Sequence, residues 1–171
     1  AEVVLVAGQL QVAPPTGIAV HHAHSAREMH EAVMREVDNC DVFISVAAVA
    51  DYHVANRSAE KLKKDGNGTP PVIELAENPD ILAAVARLPN APFCVGFAAE
   101  SHNVLEHARA KRLRKGVPLI VANHAVSAMG SGNNQLTLIS DSAETALPEM
   151  GKRDTADAIV AEIARLLEKA T

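Results

Sequence analysis

"VFISVAAVADY", residues 42 to 52, is apolar except at Ser45 as far as Ala50, and then meets one carboxylate, Asp51. A near-continuous apolar run of strand length, without strict alternation, marks a strand buried on both faces, which is the habit of parallel sheets covered by helices. Runs of the same kind recur at 3–8 ("VVLVAG"), 18–23 ("IAVHHA"), 71–76 ("PVIELA"), 93–99 ("FCVGFAA"), 118–123 ("PLIVAN") and 135–140 ("QLTLIS"), and together with 42–48 they are the predicted strands. Segments of helical period fill most of the gaps. Ser25 stands ahead of a helix over 26–38 with Glu28 three residues on, the spacing of a capping box. Asn78 and Pro79 open a second helix that runs through Arg87, 103–115 is a third, and a fourth closes the chain. In that last one Ile159, Ile163, Leu166 and Leu167 recur at three- and four-residue steps after Asp154, so one stripe packs against the sheet. The alternation predicts an α/β fold with a mainly parallel sheet.

The segments 49–70 and 124–134 carry no period. Long irregular connections within a compact α/β domain more often carry function than not. Ligands of open parallel sheets sit beyond the carboxyl ends of the strands. The sequence places Asp51, Glu77 with Asn78, Glu100, and Asn123 with His124 at such ends.

Composition narrows the function classes. At 171 residues and 48% hydrophobic content, one domain with a proper core is expected over 1–171, and hardly two. Sixteen basic against 21 acidic residues leave a net charge of −5, and no Lys/Arg stripe alternates with aromatics, so nucleic acid is not an expected partner. The aromatics are Phe43, Tyr52, Phe93 and Phe97, too few for a stacking platform, although one ring suffices for a single nucleobase. Cys40 and Cys94 are far apart and have no second cysteine nearby, which fits reduced thiols in a cytoplasmic protein. No apolar stretch nears the ~20 residues of a membrane span, and no charged-then-apolar leader precedes the first strand. The chain opens inside an alternating pattern, without an initiator methionine, as a piece of a longer protein would.

The turn "ENPDI" at 77–81 joins a strand to a helix start, whose unpaired backbone N–H groups suit a phosphate or a polar base edge; taken alone it reads first as an ordinary capped helix start. In "ARAKRLRKG", 108–116, Lys111 and Lys115 are four apart and share a helix face, while Arg112 and Arg114 turn elsewhere. Cations in a last turn complement the helix dipole, and they also suit an anion held between them. At an effective dielectric near 20, a lysine about 4 Å from a phosphate oxygen is worth roughly 4 kcal/mol before desolvation. Lys61, Lys111 and Lys115 would together hold a triphosphate. Ala47 and Ala48 would let a ligand approach the backbone, and Asp51 would accept from a sugar hydroxyl or reach a metal; alternatively 53–70 is a charged surface loop. His22 and His24 lack a third ligand at a telling spacing, so no metal site is assigned. G-x-S-x-G, G-x-x-x-x-G-K-[ST] and G-x-G-x-x-G are all absent.

"AAVADY" (47–52), "KLKK" (61–64), "NPDI" (78–81), "VGFAAE" (95–100) and "KRLRK" (111–115), in this order and at these intervals, closely resemble phosphopantothenoylcysteine synthetase. That enzyme is usually the C-terminal half of a bifunctional coenzyme A biosynthesis protein in bacteria. The resemblance covers nearly the whole chain and implies a Rossmann-like three-layer fold and a homodimer. It implies a ligase that activates 4'-phosphopantothenate with CTP as an acyl-cytidylate, which the amine of cysteine attacks to release CMP. By position, the nucleotide would meet Ser45, Val46, Ala47, Asp51, Lys61, Ala76, Glu77, Asn78, Pro79, Phe97, Lys111 and Lys115, and Ala48 would meet the acyl substrate. Lys61 is the catalytic candidate, magnesium would accompany the triphosphate, and the flavin of a fused decarboxylase domain would have no place in this one.

Two departures stand out. The family normally starts with a glycine-rich turn and a segment like "ISNRSSGKMG", which holds the acyl-cytidylate and precedes the first strand present here. The usual Asp-Val-Ser after "AN" reads His124, Ala125, Val126, Ser127, and the flap that follows is "GSGNNQ" without its common aromatic. A truncated nucleotide-binding fragment is therefore an alternative. A nicotinamide-dependent oxidoreductase is another, although "AGQLQVAPP" stands at 7–15 where its glycine fingerprint should be.

Overall fold

The computed structural model describes residues 1–63, 70–100, 102–124, 133–134 and 136–170. The chain gathers into two compact units, residues 1–33 with 47–80, and residues 34–46 with 81–171.

In the first unit β1 (Val4–Ala7) and β2 (Ala19–His22) pair in parallel, Val4 opposite Ala19 and Ala7 opposite His22. The N–H of Ala23 extends the ladder by donating to the carbonyl of Ala7 at 2.8 Å. Gly17, at φ 84°, supplies the left-handed residue that turns the chain into β2. Helix α1 (Ala26–Glu36) begins at Ser25, whose carbonyl accepts the Met29 N–H at 2.9 Å and whose hydroxyl oxygen accepts the Glu28 N–H at 3.2 Å. The Glu28 carboxylate folds back to accept the His24 N–H at 2.9 Å and the Ser25 hydroxyl at 3.1 Å, so the predicted cap forms. The α-helix stops at Glu36, and a 3-10 turn, Val37–Asn39, covers the last of the predicted span.

The strand predicted at 71–76 is a correction. Only Leu75–Glu77 is extended as β5, and it pairs antiparallel with β4 (Tyr52–Val54) rather than joining a parallel sheet. Pro70 and Pro71 have no N–H to give a ladder, which keeps the start of the apolar run out of a sheet. β4 itself lies in the segment read as having no period. At three residues it is too short to show one.

The second unit is built on a five-stranded sheet. β3 (Val42–Ser45), β6 (Phe93–Glu100) and β7 (Leu119–His124) run parallel. β9 (Leu136–Ser140) is antiparallel to β7, and β10 (Glu144–Ala146) is antiparallel to β9, so β9 alone in this sheet reverses. β8 (Asn133–Asn134) pairs with β11 (Met150–Gly151) beside it. The α/β class and the mostly parallel central sheet are as expected; the reversal at the 135–140 strand, and the existence of β10, are not in the sequence reading.

Both faces of this sheet are covered. On one, Gly96 and Ile120 meet α2 (Ile81–Ala86), and α3 (Val104–Lys115) packs along β6 and β7. A Cβ on Gly96 would come within 2.6 Å of Leu82 Cδ2 and 2.7 Å of Ile120 Cδ1, so the strand is glycine there because helix and neighbour close over it. On the other face Val95, Leu119, Val121, Leu136 and Leu138 form one core with Ile159 and Ile163 of α4 (Lys152–Ala170). Leu166 and Leu167 pack against that core, which is the stripe predicted for the closing helix. Helix α3 ends at Gly116, φ 67°, whose N–H donates to the carbonyls of Arg112 and Leu113. Arg109 grips Glu144 through two nitrogens, one at 2.7 Å, and Arg112 reaches Asp141 at 3.0 Å, tying α3 to the β9–β10 hairpin. Among the described residues no helix is long and apolar enough to cross a membrane.

Candidate functional site

In the second unit three of the predicted residues converge by register. Ser45 is the last residue of β3 and lies opposite Gly96, one position before Phe97 on β6. Phe97 is half-buried, with its ring against the core shared with α4. Its carbonyl, just beyond the last residue that β3 pairs, accepts the Lys111 ammonium at 2.7 Å. Lys111 is half-buried: its methylene stem crosses the α3–β6 seam while the charge ends at the strand. Lys115, four residues on, is the last residue of α3 and is half-buried too. Val46, which follows Ser45, is exposed. The carboxyl end of β3 thus lies beside the middle of β6, where Lys111 of α3 meets the strand.

In the first unit Asn78 is the organising residue. Its N–H donates to the carbonyl of Asp51 at 2.7 Å and its side-chain amide donates to the carbonyl of Ala50 at 2.9 Å. With Tyr52 opposite Glu77, the 76–79 turn is fastened to the chain that carries Asp51. The carboxylates of Asp51 and Glu77 are exposed, while Ala76 and Pro79 are half-buried. Ala47 and Ala48 are exposed and, with Asn78, line an open hollow of about 1910 Å³. Lys61 is exposed, following a Ser58–Glu60 turn in which the Ser58 hydroxyl donates to the Glu60 carbonyl at 2.8 Å. Lys64 and residues 125–132, where part of the flap was expected, lie outside the described residues.

The structure therefore brings Ser45, Phe97 and Lys111 together within one unit, and Asp51 with the 76–79 turn within the other. His22 ends β2, and both it and His24 are exposed on the wall of the hollow. Among the described residues, His53 Nδ1 and Asn123 Oδ1 are buried without a hydrogen-bond partner; sequence reasoning placed Asn123 at a strand's carboxyl end and missed His53. A buried unpaired polar atom costs about 1–3 kcal/mol, so such positions draw attention as polar contacts waiting for a neighbour. Asn123 carried a signal, being a polar residue at a strand's carboxyl end. His53 carried none, since it sits on a strand too short to recognise.

The sequence pattern of the family described as DNA/pantothenate metabolism flavoprotein C-terminal domain matches residues 1–167. The chain belongs to this family. Among relatives of the family, a coenzyme A biosynthesis bifunctional protein CoaBC of Vibrio cholerae is 41% identical over 165 residues, covering 94% of this chain and 41% of its own. The protein of the same name from Mycobacterium tuberculosis is 40% identical over 185 residues, covering 98% of this chain and 43% of its own. The chain thus spans about two fifths of the length of these relatives. A crystal structure of the C-terminal domain of a CoaBC protein superposes with a TM-score of 0.81 at 32% identity, over 98% of this chain and 76% of that one. A DNA/pantothenate metabolism flavoprotein from Streptococcus pneumoniae, with a TM-score of 0.76 at 16% identity over 96% of this chain and 81% of that one, shows the shared fold alone. The resemblance carried by the five motifs is borne out at the level of the family.

Proposed function

We propose that this chain is a phosphopantothenate–cysteine ligase domain of coenzyme A biosynthesis, using CTP. The observation that carries the reading is the Lys111–Phe97 contact beside Ser45, in a family member whose relatives are named for coenzyme A biosynthesis. In the proposed reaction the carboxylate of 4'-phosphopantothenate attacks the α-phosphorus of CTP, the bond to diphosphate breaks, and an acyl-cytidylate results. The amine of cysteine then attacks the acyl carbon, the bond to CMP breaks, and 4'-phosphopantothenoylcysteine leaves with CMP.

Negative charge grows on the phosphate oxygens during the first step, so cations already fixed in place lower that barrier most. Lys111, held by the Phe97 carbonyl, and Lys115 suit the triphosphate, and Lys61 is the proposed catalytic lysine at the α-phosphate. Ser45, Val46, Ala47 and the 76–79 turn offer backbone groups to the nucleotide, Asp51 a carboxylate to its ribose, Phe97 a half-buried ring, and Ala48 room for the acyl substrate. Magnesium would travel with the triphosphate as its counter-ion; the exposed Asp51 and Glu77 carboxylates fit its preference for oxygen ligands and retained waters. The domain is proposed to bind no flavin, to work in the cytoplasm beside or fused to a flavin-dependent decarboxylase, and to pair as a homodimer. The arm around β4 and β5 supports pairing, since Tyr52, Leu62, Val72, Ile73 and Leu75 leave large apolar surface exposed there, Val72 at 89%.

Thermal shift with CTP, ATP and NADH, each with magnesium, followed by product analysis with 4'-phosphopantothenate and cysteine, tests the proposal. Saturating CTP at 100 times its Kd should add about 2.7 kcal/mol of stability, more than either competitor at equal concentration. Stabilisation by NADH alone, or by none of the three, overturns the reading.

A further inference from the structure

Helix α3 carries two adjacent ridges of side chains. Val104, Ala108, Lys111 and Lys115, at steps of four, three and four residues, form one, and Leu105, Arg109 and Arg112 form the other. The first ridge faces the sheet: Val104 and Ala108 are buried, and the Lys111 ammonium donates to the Phe97 carbonyl at 2.7 Å. A valine and an alanine make a shallow seam, close enough for dispersion contact but with little side chain to interlock. The amino end adds little more, since Asn103, at φ 47°, gives the helix no side-chain cap. Seam and cap together set the roll of α3 about its own axis only weakly.

The second ridge supplies the missing restraint. Arg109 holds Glu144 through two nitrogens, one at 2.7 Å, and Arg112, three residues on, donates to Asp141 at 3.0 Å. A planar guanidinium gripping a carboxylate at two points fixes direction as well as distance. Both carboxylates stand on a braced hairpin: the Ser140 hydroxyl accepts the Ala143 N–H and donates to the Ala143 carbonyl, each at 3.1 Å, and Leu138 and Ile139 of β9 are buried. The side chains of Arg109 and Glu144 are 49% and 38% exposed, and ion pairs in such places contribute little to stability. What the clasp does supply is orientation.

We propose that Arg109 and Arg112 are positioning residues: clasped to Glu144 and Asp141, they lock the roll of α3 and so aim Lys111 at the nucleotide's phosphates. At the helix's outer radius of ~5–6 Å, about 10° of roll carries a side chain about 1 Å. A lysine that moves from about 4 Å to about 5 Å from a phosphate oxygen, at an effective dielectric near 20, loses about fourfold in binding. The inference rests on the ligase reading for the identity of the anion, and on α3 and the hairpin alone for its geometry.

Glu144→Gln combined with Asp141→Asn opens the clasp and provides the test. Without any ligand, NMR of the lysine ammonium groups follows Lys111, whose signal is identified by its loss in Lys111→Met. That ammonium should exchange slowly with water in the parent chain and fast in the paired variant, while the urea midpoint moves little. Unchanged exchange overturns the proposal, and so does a midpoint that collapses, because the ion pairs then hold the fold rather than the lysine. CTP with magnesium gives a second readout with a decisive sign. Removal of two negative charges strengthens the binding of a polyanion if the field alone counts. The lost aim of Lys111 should instead weaken CTP by about fourfold, and by less once Lys111 is Met. Stronger binding, or an equal loss in the Lys111→Met background, overturns the proposal. A parent chain that binds no CTP overturns the ligase reading, and the ammonium signal then decides the clasp by itself.

Discussion

Lys111 and Phe97 are joined by an ammonium-to-carbonyl hydrogen bond of 2.7 Å that spans α3 and β6. A long cationic side chain in water loses much rotamer freedom when an anion captures it. Here that loss is taken during folding, so the charge is already in place against the middle of β6. Lys111→Met keeps the apolar stem and removes the donor. Unfolding in urea should show a loss near 1.5 kcal/mol, the lower end for a hydrogen bond to a charged group, and CTP affinity should fall by about tenfold. An unchanged urea midpoint would show that the bond contributes nothing.

Asn78→Ala removes the bond to the Ala50 carbonyl while the backbone bond to Asp51 remains possible. A loss of about 1 kcal/mol is expected. Asn78→Asp should cost as much, because a carboxylate cannot donate. Exchange at Tyr52–Val54 and Leu75–Glu77 should quicken in both variants, and exchange in β6 and β7 should not.

Gly96→Ala should destabilise by about 1–3 kcal/mol through overpacking against Leu82 and Ile120. Ile120→Val removes the Cδ1 atom that a new methyl would meet at 2.7 Å. The double variant should therefore lose less than the sum of the two single ones, a coupling that denaturant midpoints in a double-mutant cycle will resolve.

The Glu28 carboxyl is held below its usual value, first by the N–H of His24 and then by the Ser25 hydroxyl. A lowered folded-state value stabilises the protein above the unfolded value, near 4.5, and that contribution is lost as pH falls through the folded one. Glu28→Gln should flatten this small acid-side decline when stability is followed from pH 6 to pH 3, roughly the carboxylate window. An identical decline in the variant would remove the cap from the account.

Burial pushes the Cys94 thiol up to about 11, and its Sγ donates to the Pro92 carbonyl at 3.3 Å. Cys40 is raised as well, by partial burial first and then by the carboxylates of Glu36 and Asp41. Both should react slowly with a maleimide at neutral pH in the folded protein, Cys94 the more slowly, and both should react promptly in urea. A fast-reacting Cys94 would mean that β6 opens readily.

Long, strongly patterned elements were legible in the sequence. The stripe from Ile159 to Leu167 and the capping pair Ser25 and Glu28 reappear in the structure because period and cap chemistry are local properties. Strand direction is not local. "QLTLIS" has the composition of its parallel neighbours, and only its pairing with β7 shows that it runs the other way. Edge position is equally invisible: "VFISVAA" reads as an interior strand, while among the described residues β3 has β6 as its one neighbour and Ile44 is 41% exposed. Local placements were legible where one helix spacing or one turn carried them, as with Lys111 on α3 and the 76–79 turn beside Asp51, while their role toward a nucleotide belongs to the proposal. His53 was not legible, and Asn123 only as a polar residue at a strand's carboxyl end, because an unsatisfied atom is a property of three-dimensional enclosure rather than of residue order.

β10 shapes how the second unit behaves in a crowded solution. It is three residues long and exposed throughout, and its Glu144 is clasped by Arg109. A short, charged border offers too little unpaired backbone to template stacking of one molecule on another. Intermolecular fibre growth is thereby discouraged along that margin, so a mutation that lengthened β10 or neutralised Glu144 would be paid for in solubility before it was felt in stability.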